Sequence, residues 1–207
     1  MNQPGPYAAQ QQAAPYRAQG PGAAFGPIGS TTRWIFAVII SLMSLGFFTT
    51  LVTWTIAIID ADHRPSHEPD STLMGIGVGA FVAIVLLLYG QVAAGLVWLY
   101  KAWSWLPSDQ RYTRHWKGWI PPSQAALMLL IPYFHYYWMF VVNCGLCDAL
   151  DRLRVSYPTR EPAPKTLAII ACICQLVVPV PVGGILWLVF MAKIERMTRE
   201  MSAGVAA

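Results

Sequence analysis

Residues 125–151 read AALMLLIPYFHYYWMFVVNCGLCDALD. The stretch is apolar enough to cross a bilayer, yet it carries Pro132, His135, Asn143 and the pair Cys144 and Cys147. Crossing ~30 Å of hydrocarbon takes ~20 apolar residues at ~1.5 Å per residue. Residues 125–147 meet that length and run on into a charged helical end at Asp148 and Asp151. Read as a span, the stretch makes the chain a small multi-pass membrane protein.

The composition agrees. The chain is 56% apolar and 12% charged, against about 25% charged for a soluble globular average. Blocks free of Lys, Arg, Asp and Glu cover Trp34–Ile59, Leu73–Tyr100, Ala125–Val142 and Leu167–Met191. The expected fold class is therefore an all-α integral membrane protein, a four-span helical bundle with spans near 34–59, 73–100, 125–147 and 167–192. Residues 31–202 form that domain and 203–207 a short tail. Residues 1–30 hold five Pro, five Gly, five Gln and seven Ala with one charge, Arg17. Such a segment buries too little to offset its ordering entropy and reads as a disordered tail. The apolar run beginning at Trp34 is too long for the core of a signal peptide, so the first block is expected to stay as an anchor.

The net charge of +4 comes from short loops beside spans, where Lys and Arg mark the cytoplasmic side. It does not point to nucleic acid. The basic and aromatic mixture in Pro107–Gln124 (Arg111, Tyr112, Arg114, His115, Trp116, Lys117, Trp119) reads as an interfacial amphipathic segment on anionic lipid. Trp98, Tyr100, Trp103 and Trp105 around Lys101 form an aromatic belt before it. Four crossings place nine Lys and Arg inside and five outside; with a re-entrant third block the split is ten to four. Both arrangements put the N-terminus in the cytoplasm; the length of Ala125–Cys147 favours four crossings, which put the C-terminus there too.

The loop Asp60–Ser71 has one basic residue, Arg64, and suits the exported side. Its Asp62, His63, His67 and Glu68 are of types that hold zinc or copper. Pro65 and Pro69 stiffen it, and it reads as an ordinary solvated acidic loop. The hydroxyls of block one, from Ser41 to Thr55, suit an interface inside the bundle. Gly75 and Gly79 form a GxxxG pair in block two, a surface for close helix contact within the chain or between copies.

Polar residues at membrane depth point into a bundle, because unpaired polar groups are costly in hydrocarbon. On a helix Tyr136, Asn143 and Cys147 share one face with Asp151, and His135 lies at its edge. With Gln91 and Gln175 they make the candidate functional polar face. Pro132 is expected to kink the third helix and free the carbonyl of Met128. Pro179, Pro181, Gly183 and Gly184 are expected to break the fourth, a device found in transporter sites. Cys144 and Cys147 with Cys172 and Cys174 form the sharpest redox constellation, yet this C-x-x-C sits near a helix end, away from the dipole that lowers a thiol pKa. No GxSxG, HExxH or phosphate-binding loop occurs. The reading is a non-enzymatic membrane protein, with no cofactor or metal, acting through helix packing and contacts with protein or lipid. Its alternatives are a small transporter or channel subunit, then a membrane thiol protein.

From Trp98 to Leu153 the order WLYKAW, a basic-aromatic linker, Pro121-Pro122 and then IPYFHYYWMF resembles a bacterial family of uncharacterised multi-pass membrane proteins with a Pro-Phe-Phe-Asn-Leu-Tyr-Trp-like motif. Pro132, Phe134, Tyr137 and Trp138 match that motif, while His135 stands where Asn is expected. The resemblance covers about a quarter of the chain and implies a bacterial inner-membrane location. It implies no activity.

Overall fold

A computed structural model describes residues 28–63, 71–114, 116–177 and 182–205. The fold is mostly helical. Six α-helices are present among the described residues: α1 (Thr31–His63), α2 (Ser71–Trp105), α3 (Pro122–Leu127), α4 (Phe134–Leu153), α5 (Lys165–Val177) and α6 (Val182–Val205). The tail expected over 1–30 lies outside the described residues except for its last three, as do Pro179, Pro181, His67 and Glu68.

Two helices, α1 and α2, are long and apolar enough to cross a membrane. At ~1.5 Å per residue each is about 50 Å long. They run antiparallel against each other, and four glycines fix the register. A Cβ on Gly95 or Gly90 would meet Phe36 or Ile39, one on Gly46 would lie 3.0 Å from Ile84, and one on Gly77 3.2 Å from Thr53. The interhelix role therefore falls to Gly77, while Gly75 and Gly79 have nothing within 4 Å and face outward. The α1 hydroxyls do not bridge the interface either. Ser41, Ser44, Thr49, Thr50, Thr53 and Thr55 each donate to a carbonyl one turn back in their own helix. That satisfies each hydroxyl locally without a partner helix.

The third block departs from a single span. Ile131 is extended (φ −79°, ψ 116°), as sterics demand of a residue before proline. Tyr133 then takes a left-handed φ of 62°, and α4 starts at Phe134. The carbonyl of Met128 is not left free, because the Ile131 amide donates to it at 3.4 Å. The break goes beyond a kink: the Trp138 indole donates to the Ala125 carbonyl at 3.1 Å. On one continuous helix those residues would stand ~20 Å apart along the axis. The chain folds back, so α3 and α4 form a short hairpin.

The fourth block does the same. A Cβ on Gly183 would lie 3.5 Å from the backbone of Gln175. Lys193 Nζ, a turn past the apolar run of α6, pairs with Glu161 Oε2, before α5 begins, at 3.1 Å. α5 and α6 are thus a second short hairpin; the 13 residues of α5 reach ~20 Å, short of a bilayer.

The linker expected as an amphipathic segment is a two-stranded antiparallel hairpin, β1 (Tyr112–Thr113) and β2 (Gly118–Trp119), with Tyr112 opposite Trp119. Buried Thr113 lies over Gly145 of α4, where any Cβ would collide with the Thr113 methyl. Arg152 clamps the strand by donating to the carbonyls of Gln110 and Tyr112 at 2.8 and 3.0 Å. The short hairpins and the strands pack on the same end of α1 and α2. There the core gathers Trp98, Trp103, Trp138, Phe190, Leu146, Leu150 and Ile194, all nearly inaccessible. This end is called the base.

Candidate functional site at the base

A carboxylate that sequence reading passed over sits at the centre of the base. α6 carries Phe190, Met191, Ile194, Met197 and Met201 on its buried stripe, at the three- and four-residue spacing of a packed helical face. Glu195 falls inside that stripe and is fully buried. Its Oε1 accepts from the Trp98 indole of α2 at 3.3 Å. Its Oε2 stands 3.0 Å from Arg33 Nε of α1, a pairing of charges rather than an aligned hydrogen bond. Burial pushes the Glu195 carboxyl above the usual carboxylate range, with Arg33 and the Trp98 N–H opposing that shift. One side chain thus ties the first, second and last helices. Lys101 adds a second tie from α2 to α1 through Thr32 Oγ1 at 2.9 Å.

Around this centre an outer ring of charges fastens the loop 154–164. Lys165 pairs with Asp148 at 2.6 Å, a hydrogen bond that raises the lysine pKa. Asp151 accepts from the Ala163 amide at 2.9 Å. Glu200 accepts from the Arg160 amide and pairs with Arg196, both at 3.1 Å, and the backbone bond leads in holding its carboxyl below the usual range. Glu161, Pro162, Pro164, Lys193, Arg196, Met197 and Glu200 line an open pocket of about 70 Å³ here.

The residues singled out from sequence are dispersed. Asn143 is buried in α4 and donates to the Met139 carbonyl at 2.7 Å, leaving its Oδ1 unpaired. Cys147 is buried in the same helix. Gln91 of α2 is also buried with an unpaired Oε1. His135 is half-buried and its ring lies tilted against that of the adjacent Tyr136, 3.8 Å between centroids, while Tyr136 itself is exposed. Gln175 faces outward from α5. The thiols of Cys144, Cys147, Cys172 and Cys174 are free, and Cys172 Sγ lies 3.8 Å from the Met139 carbonyl. Among the described residues no three His, Cys, Asp or Glu gather as a metal site.

Chemically, the base is a clamp. Glu195 is inaccessible to a substrate, and its neighbours are a cation and an indole already engaged with it. Comparison with known proteins finds no matching family model, no similar curated protein and no similar solved structure.

Proposed function

We propose that the chain is an integral protein of a bacterial inner membrane that crosses it with α1 and α2, keeps its base on the cytoplasmic side, and acts through lipid and protein contacts rather than catalysis. The observation that carries the reading is the division of charge. The connection 64–70 between the far ends of the long helices holds one of the 14 Lys and Arg, Arg64. All the rest precede α1 or belong to the base. Counting two crossings instead of four removes the ambiguity that four carried, since both short hairpins return their charged ends to one side. A split this lopsided suits the positive-inside bias. The exposed apolar surface of the long helices, including Phe48, Leu51, Trp54, Ile58, Phe81 and Leu86, supports the same reading.

The test is topology. Single cysteines placed at Ser66 and Val155 in a cysteine-free background, in intact cells, are expected to label from outside at Ser66 and not at Val155. Equal labelling of both sites, or of neither while the protein resists alkaline extraction, defeats a two-crossing arrangement.

A transport role is the second reading, supported by the unpaired buried oxygens of Gln91 and Asn143. It requires solute flux in proteoliposomes that Gln91→Leu or Asn143→Leu abolishes.

A further inference from the structure

The base covers only part of the long helices. On α1 the buried apolar positions are Phe36, Ile40 and Met43, and beyond Met43 none of its described side chains is buried. The start of α6 is held at that depth: a Cβ on Gly184 would lie 2.7 Å from Ile40 Cδ1. Met43 is ten residues past Arg33, or ~15 Å along the helix, about half of a ~30 Å hydrocarbon layer. Facing away from the long helices, the second short hairpin exposes Ile169, Ile170, Ile173, Leu176, Ile185 and Val189. The first exposes Leu130, Ile131, Tyr133, Tyr136 and Tyr137 around its turn, the apolar and aromatic mixture of a membrane interface.

We infer that the base is a one-sided wedge whose partner is the acyl region of a single leaflet, so that the protein favours membrane curved convex towards the base. This rests on the two-crossing reading above. The argument is one of area. Among the described residues the section beyond Met43 contains α1 and α2 only; on the base side α5 and α6 join them. Two helices of ~10–12 Å diameter add on the order of 200 Å² to the near leaflet, and α3 and α4 widen its surface further. A leaflet given more area than its opposite bends to become the outer one. Charge completes the match, because the base holds 12 of the 14 Lys and Arg against six of the 10 Asp and Glu, and a cationic excess at anionic headgroups adds to apolar burial in curvature-sensitive binding.

The experiment uses the full chain, labelled at a surface lysine and reconstituted into giant vesicles containing anionic phospholipid, with narrow membrane tubes drawn from them. Molecules with the base outward, identified by cleavage of the loop 154–164 with external trypsin, are expected to be enriched about twofold or more on tubes of about 20 nm radius relative to the parent vesicle. Equal density on tube and vesicle, with the protein resistant to alkaline extraction, overturns the wedge and leaves the two-crossing reading standing. Loss of the protein on alkaline extraction overturns both.

Discussion

The two halves of the α1–α2 hairpin are built from the same kind of sequence and end in opposite surroundings. Near the base, Phe36, Ile40, Trp98 and Trp103 are sealed under later helices. In the far half, Phe48, Trp54, Phe81 and Leu86 are exposed, with the other long helix as their neighbour. Hydrophobicity does not distinguish the halves; cover does. In the two-crossing arrangement proposed above, the difference teaches that lipid suffices as a surrounding for apolar side chains, whereas the base needs polar ties to choose one arrangement. In lipid the drive to bury Leu against Leu fades, and packing shape and polar bonds decide association. Glu195 belongs to the half where such a choice has to be made.

Removing that tie gives the largest effect. Arg33→Met leaves a buried carboxylate without its cation and is expected to destabilise the base by about 3–5 kcal/mol at neutral pH, measured by thermal unfolding in lipid nanodiscs. Because folding raises the Glu195 pKa, the folded state holds that proton more tightly than the unfolded chain. The group's contribution to stability is therefore fully present below the ordinary carboxylate range and is lost as pH rises through its raised folded value. The cost of Arg33→Met should shrink as pH falls through that window, and Glu195→Gln should abolish the pH dependence. A cost unchanged by pH would mean that packing, not charge, holds the base.

The far half is tested by putting charge on it. Leu86→Lys is expected to cost about 2.5–3.5 kcal/mol of insertion, read as the fraction of chains resisting alkaline extraction. Val155→Lys, at a fully exposed position after α4, should stay within about 0.5 kcal/mol of wild type. If both changes are equally mild, lipid is not what surrounds Leu86 and the contrast between the halves collapses.

Glycines sharpen the contrast at smaller scale. Gly145→Val forces Thr113 and Trp103 apart and should lower stability by about 1–3 kcal/mol. Gly75→Ala and Gly79→Ala meet nothing and should be neutral or stabilising by up to about 1 kcal/mol, since alanine is the better helix former. A loss of stability at Gly75 or Gly79 that grows with dilution would instead reveal a second copy packed on that face.

Much of the long hairpin was legible from sequence. Uninterrupted apolar runs bounded by Arg33, Asp60 and Lys101 gave both helices close to their observed ends. The short hairpins were harder to read because a proline inside an apolar run has two outcomes. A helix bends around Pro132 and continues, or it stops and the chain reverses, and the choice rests on what the far side meets. Here the indole of Trp138 meets the Ala125 carbonyl. Glu195 is masked by its neighbours: it stands among Lys193, Arg196 and Arg199, and a run of charge is the usual mark of a solvated face. The stripe of Met191, Ile194 and Met197 around it was the signal that it points inward. The polar face of His135, Tyr136, Asn143 and Cys147 followed from helical spacing alone. The spacing holds on α4, but the helix starts at Phe134, so half-buried His135 and exposed Tyr136 belong to its first turn while Asn143 and Cys147 belong to the core.

The link between Arg33 and Glu195 also sets a schedule. A ribosome delivers Arg33 of α1 well over a hundred residues before Glu195 of α6, so α1 and α2 emerge while their cation still lacks its carboxylate. The base closes only when α6 arrives. Until then Arg33 is a charge awaiting its counterpart, which makes α6 the step that locks the assembled form.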